Sequence, residues 1–244
     1  MAVSSVAQDL LDASLRSKLG LTNYEAWVVG RVIGLLNSAD ADLERRISIA
    51  LEKKPLADTS VRLQAIRKEL LSANKAAYQR MGYFLSNEMK SLVVEQSEGL
   101  ADTLEGILPF KFSASRPSVE LLRSLVTQDP LHGRLLGALS ADGENTIIAN
   151  LAGNRAAALM EQIQQGVVQS ESWGSILKRI RGTAAGNYQD GVLATIGRRQ
   201  AETVARTAVQ HFTEAARDAL IQANADLFQG VVWVATLDLR TCPA

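Results

Sequence analysis

The stretch NYEAWVVGRVIGLLNSADADLERRISIALEKKPLADTSVRLQAIRKELLSANKAAYQRMGYF, residues 23–84, decides the fold. Before Pro55, the residues Tyr24, Trp27, Val28, Val32, Leu35, Ala39, Leu43, Ile47 and Leu51 recur every three or four positions, which is the spacing of one helical face. After it, Leu63, Ile66, Leu70, Ala73, Ala77 and Phe84 keep the same rhythm, broken at Arg80 where another apolar residue is due. Pro55 cannot continue a helix, and Asp58 or Ser60 can cap the next one. Two long stripes joined by so short a turn should face each other, so the expectation is an antiparallel helical hairpin.

Working outward, Val6, Leu10, Leu11, Leu15 and Leu19 form a shorter stripe that Gly20 is expected to end. The second helix is then expected to begin at Thr22 or Asn23. On the other side, GLADTLEGILPFKFSASRPS, 99–118, mixes Pro, Gly, Ser and Thr, and the periodicity fails there. This places a hinge around 106–117 and divides the chain into an N-terminal long-helix hairpin, 1–110, and a second helical unit, 111–244. Within the second unit the pattern predicts helices over 118–128, 131–139, from Asp142 through Val167, around 173–181, and over 189–224. The period then changes: GVVWVATLDL, 230–239, is β-branched and aromatic and reads as a short strand or the arm of a hairpin. The fold class is mainly α.

Composition bounds what such a chain can do. Lys plus Arg number 26 and Asp plus Glu number 26, so the formal net charge is zero. A nonspecific nucleic-acid coat needs excess positive charge, which argues against that class. Apolar residues at 47% and charged residues at 21% are too apolar and too neutral for a disordered chain. A single cysteine, Cys242, excludes an intrachain disulfide and a Cys-rich zinc site. The longest apolar runs fall far short of the ~20 residues that cross a bilayer. The N-terminus lacks a basic region and meets Asp9 and Asp12 early, against a signal peptide.

Motifs for chemistry are sparse. Neither a phosphate-cradling GxxxxGK[ST] nor a GxGxxG occurs, and the GxxxG of Gly30 and Gly34 signals close helix packing or chance. The two histidines, His132 and His211, fall in separate segments without metal spacing and read as ordinary surface or core residues. No cofactor and no enzymatic activity are expected. Charge distribution says more than its sum. Residues 88–105 hold five acids and one lysine, read as a solvated helix face. From 178 to 206, Lys178, Arg179, Arg181, Arg198, Arg199 and Arg206 stand against Asp190 and Glu202, a local net of +4. That patch reads as ordinary solubility first, and as a surface for phosphate or an acidic partner second. No aromatic residues interleave it to stack single-stranded bases.

One constellation is more specific. AETVARTAVQHFTEAARDA carries Arg206 and Thr207 on the last long helix, and VVWVATLDLRTCPA follows with Trp233, Asp238, Arg240, Thr241, Cys242 and Pro243, six positions of fixed type within eleven residues. An Arg-Thr on a long helix and then Trp-x-Ala-Thr-x-Asp-x-Arg-Thr-Cys-Pro resembles the phage head morphogenesis domain, the minor head protein family typified by the F protein of phage Mu. The resemblance is clearest over 160–243 and absent before the hinge. It implies a virion protein of the capsid interior, made in the host cytoplasm. Such a protein is present in several copies around the portal vertex, binds the portal protein and other head proteins, and takes part in head assembly and in DNA packaging or ejection. The family normally continues with a second Cys, an Asp-Gly turn and a further strand, whereas this sequence stops at Ala244, so the expectation is a domain truncated in its β part, either a trimmed portion of a longer gene product or a member that lacks the remainder. Read on their own physics, Arg206, Thr207, Trp233, Asp238, Arg240, Thr241 and Cys242 are turn and packing residues. A second reading uses Lys178, Arg179, Arg181, Arg198 and Arg199 against packaged double-stranded DNA.

Overall fold

A computed structural model describes residues 2–52, 59–108, 111, 113–130, 132–133, 147–183, 185–186, 190–226 and 228. It is mainly helical. The elements are α1 (Ala2–Glu52), α2 (Thr59–Ile107), α3 (Val119–Gln128), α4 (Ile147–Val168), α5 (Trp173–Arg181), α6 (Val192–Thr195) and α7 (Arg198–Ala223). At ~1.5 Å per residue, α1 and α2 are each about 75 Å long.

The two long helices form the antiparallel hairpin that their stripes predict. Tyr24 lies level with Glu88, Trp27 with Phe84, and Arg46 with Glu69, so rising numbers on α1 meet falling numbers on α2. The core face of α1 is Val28, Val32, Leu36, Ala39, Leu43 and Ile47; that of α2 includes Ile66, Leu70, Ala77, Tyr78, Met81 and Leu85. Trp27, expected inside, is 48% exposed, and Leu36 takes the buried place expected of Leu35. The interruption at Arg80 has a simple cause. The buried seam passes through Tyr78 and Met81 on either side of it, and Arg80 points outward.

The expected break at Gly20 is corrected: α1 runs through it without interruption. A mid-helix glycine costs only ~1 kcal/mol relative to alanine, too little to stop a helix supported on both sides by packed turns. Thr22 does not cap. Its hydroxyl donates to the carbonyl of Lys18 at 2.9 Å, the back-bond of a threonine inside a helix. The helix expected over 189–224 is corrected in the opposite sense. It is split into α6 and α7 by Ile196 and Gly197, the latter in the left-handed region at φ 85°. A side chain there would meet Tyr78, because an added Cβ would lie 2.2 Å from its hydroxyl oxygen. Glycine is what lets the chain turn this closely over α2.

α3 and α5 begin as their sequences predict, with Ser118 and Ser172 accepting from the amides of Leu121 and Ser175. In α4 the expected stripe of Ile148, Ala152, Ala156, Leu159 and Ile163 is buried, and its last member, Val167, is half-buried. The helix expected over 131–139, of which only 132–133 are described, the Asp142 cap and the strand over 230–239 lie outside the described residues, among which there is no strand.

Apolar packing crosses residue 110. The largest core joins Val32 and Leu36 of α1 and Met81 and Leu85 of α2 to Val126 of α3, Ile148 of α4 and Phe212 of α7. A second core sits toward the hairpin's turn, where Leu43, Ile47, Ile66 and Leu70 meet Leu159 and Ile163 of α4 and Ile176 and Ile180 of α5. A smaller cluster at the opposite end gathers Leu10, Ala101, Leu104, Ala114, Leu220 and Phe228. Gly30 and Gly34 seat no neighbour, with nothing within 4 Å of a Cβ placed at either.

Candidate functional site

The basic residues of 178–206 are distributed over two helices. α5 carries Lys178, Arg179 and Arg181 in its last turn, where cations suit the helix dipole. α7 carries Arg198 and Arg199 in its first turn and Arg206 farther along. Most of this charge already has a partner. Arg179 bonds Glu171, and Arg181 reaches Glu44 of α1 at 3.3 Å. Arg198 lies 3.9 Å from Asp40, and Arg206 donates to Glu25 of α1 at 2.5 Å, with Gln210 on the same carboxylate. Lys178 and Arg199 are exposed and form no ion pair among the described residues. The patch thus works largely as a set of clasps holding α5 and α7 to the rest of the molecule.

The densest polar constellation is one that the sequence did not single out. Arg155 of α4 is 2% exposed and uses its whole guanidinium. Nη2 donates to Asp40 Oδ1 at 2.5 Å, Nη1 to Asn74 Oδ1 at 3.1 Å, and Nε to the carbonyl of Ile196 at 3.2 Å. Asn74 in turn donates to the carbonyl of Leu70. One side chain therefore ties α1, α2, α4 and the α6–α7 corner together. Burial pushes the Asp40 carboxyl above its usual range, opposed by the adjacent Arg155. Burial likewise pushes the Tyr78 phenol up. Its hydroxyl, Asp40 Oδ2 and Arg198 Nε are buried and make no hydrogen bond among the described residues. A signal for this knot was present. Arg155 falls within the apolar stripe of α4, between Ala152 and Leu159, and Asp40 follows Ala39 in that of α1.

The histidines are structural in their surroundings. His132 is buried, with its Nε2 3.1 Å from Ser86 Oγ, and burial together with nearby Lys90 depresses its pKa, partly offset by Asp129. His211 pairs with Asp129 at 2.9 Å. Among the described residues, no group of three or more His, Cys, Asp or Glu is placed to hold a metal ion, and no helix is long and apolar enough to cross a membrane.

Of the residues carrying the head-morphogenesis resemblance, Arg206 and Thr207 are described. Both are exposed on α7, whose inner face buries Ala205, Ala208, Val209 and Phe212. Trp233, Asp238, Arg240, Thr241 and Cys242 lie outside the described residues. No family model, no curated protein and no solved structure matches the chain.

Proposed function

We propose that the chain is a structural virion protein, a minor head component that associates with the portal on the capsid interior and serves head assembly and the packaging or ejection of DNA. The observation that carries this reading is the build of the molecule. Two helices about 75 Å long are locked to a second helical unit through the buried guanidinium of Arg155, which gives a stiff strut. Stiffness over such a length is what an adaptor between larger bodies requires. The Arg206–Thr207 pair and the Trp-to-Pro motif over 233–243 supply the resemblance to the phage family, and the strand at 230–239 belongs to the same reading.

Pairing of Arg179, Arg181, Arg198 and Arg206 with acids of the same chain favours this reading over a DNA-contacting accessory, because paired cations release fewer counterions from a phosphate backbone. The test is mass spectrometry of purified proheads and virions. The chain should be present at a fixed number of copies per portal and should be retained by a portal pull-down. Its absence from both particles overturns the proposal.

A further inference from the structure

The zero net charge of this chain conceals a molecule with two electrically opposite ends. Within α2, the first half carries Arg62, Arg67, Lys68, Lys75 and Arg80 against Glu69, a net of +4. From Met81 onward, the second half carries Glu88, Glu95, Glu98, Asp102 and Glu105 against Lys90, a net of −4. The other helices do not cancel this. At the turn end, Asp42 and Glu44 of α1 offset Arg45 and Arg46, while α5 adds three cations that Glu161 and Glu171 offset only in part. At the far end, Asp9 and Asp12 are balanced by Arg16 and Lys18, and Arg116 pairs with Asp102 and Glu105, which leaves Glu95 and Glu98 as exposed acids without an ion pair among the described residues. Arg67 and Glu98 are separated by about 46 Å along the helix, several times the ~8 Å over which physiological salt screens charge. The two ends therefore act on their surroundings separately.

Each end also leaves apolar surface uncovered beside its charge. At the acidic end, Leu11, Leu15 and Leu19 recur at i, i+4 and i+8 on α1 and are 39%, 41% and 67% exposed. The hairpin register sets Leu15 and Leu19 level with exposed Glu95 and Glu98. At the basic end, Leu71 is 47% exposed one turn from Arg67 and Lys75, both exposed, and Ile49 and Val61 show apolar surface nearby. An apolar centre rimmed by charge of one sign fits an apolar centre rimmed by the other, the pattern of complementary protein interfaces.

We infer that the acidic end of one copy docks on the basic end of another. The contact is head to tail, formed by Leu11, Leu15, Leu19, Glu95 and Glu98 against Arg67, Lys68, Leu71 and Lys75. Such a heterologous contact repeats, giving a ring if the rotation between copies closes and a filament if it does not. The inference rests on the charge and exposure of this chain alone and stands apart from the portal reading.

Sedimentation velocity of the full chain at low and high salt tests it. Association should appear at low salt and weaken at least about tenfold at high salt, as the screening length shortens to the contact distance of the rim charges. Arg67→Glu/Lys68→Glu/Lys75→Glu should be monomeric, as should Glu95→Lys/Glu98→Lys, each with unchanged helical circular dichroism. Mixing the two variants should restore association, because each then supplies the charge that the other lacks. A wild-type chain that stays monomeric at low salt overturns the inference, and so does association indifferent to both sets of reversals. A monomer that binds duplex DNA through Arg67, Lys68 and Lys75 also overturns it and assigns the basic end to a polyanion.

Discussion

Arg155 concentrates more structural consequence than any other side chain described. Its three hydrogen-bonded partners lie on different elements, and truncating it leaves Asp40 in the core with only Arg198, 3.9 Å away, to offset its charge. Breaking a buried pair from one side costs about 3–5 kcal/mol, so Arg155→Ala should lower stability by that amount in chemical denaturation. Removing both charges with apolar groups, Asp40→Leu with Arg155→Met, should cost far less than the sum of the single changes, a coupling that a double-mutant cycle measures. At the neighbouring corner, Gly197→Ala forces a Cβ against the Tyr78 hydroxyl at a positive φ, and about 1–3 kcal/mol should be lost. Tyr78→Phe removes the oxygen in that clash and should recover part of the loss, since this hydroxyl has no hydrogen bond among the described residues to forfeit. His132 makes a pH prediction with a definite sign. Its folded pKa lies below the unfolded value near 6.5, so the unfolded chain binds the proton more readily. Stability should be full above pH ~6.5 and decline as the pH falls toward the depressed folded value. In His132→Gln that part of the slope should vanish from denaturation midpoints measured between pH ~7 and pH ~5.

At the scale of elements, what was legible in the sequence depended on whether a rule was local. The hairpin was legible because α1 and α2 each hold an apolar rhythm over many turns and Pro55 separates them. The spans of α3 and α5 are legible, 118–128 and 173–181 matching Val119–Gln128 and Trp173–Arg181, although the caps Ser118 and Ser172 show only in the structure. Two boundaries failed where a weak local signal met strong tertiary support. Gly20 reads locally as a stop, yet the helix on both sides of it carries the chain through. Replacing it with Ala should therefore stabilise the protein by about 0.5–1 kcal/mol, read as a raised denaturation midpoint. Gly197 sits unmarked inside a helical pattern because nothing in the adjoining residues announces the approach of Tyr78, which is 119 positions away in the chain. The candidate site divides in the same way. Lys178, Arg179, Arg181, Arg198, Arg199 and Arg206 were visible as a run of charge. The partners of Arg181, Arg198 and Arg206, namely Glu44, Asp40 and Glu25, stand more than a hundred residues earlier, so folding turns half of this run into clasps between helices while Lys178 and Arg199 stay exposed.

For the whole molecule, the decisive fact is that its largest core draws on both sides of residue 110. Phe212 of α7 is fully buried in the same cluster as Val32 and Leu36 of α1 and Met81 and Leu85 of α2. A hairpin with two such long stripes must bury its remaining apolar face against something, and α4 and α7 supply that cover. Cutting an aromatic side chain out of this contact removes apolar burial and leaves a cavity, so Phe212→Ala should cost about 3–5 kcal/mol. The same core implies how the loss will be distributed. If hairpin and second unit share their stabilising contacts, the wild type should melt in one transition followed identically by far-UV and near-UV circular dichroism. Phe212→Ala should then shift that transition to lower temperature as a whole. Two separable transitions, with the hairpin's unmoved by a change in α7, would show that the long helices are stable without their cover and that the two units fold apart. A stiff strut that keeps its shape only as an assembled unit should give the single shifted melt.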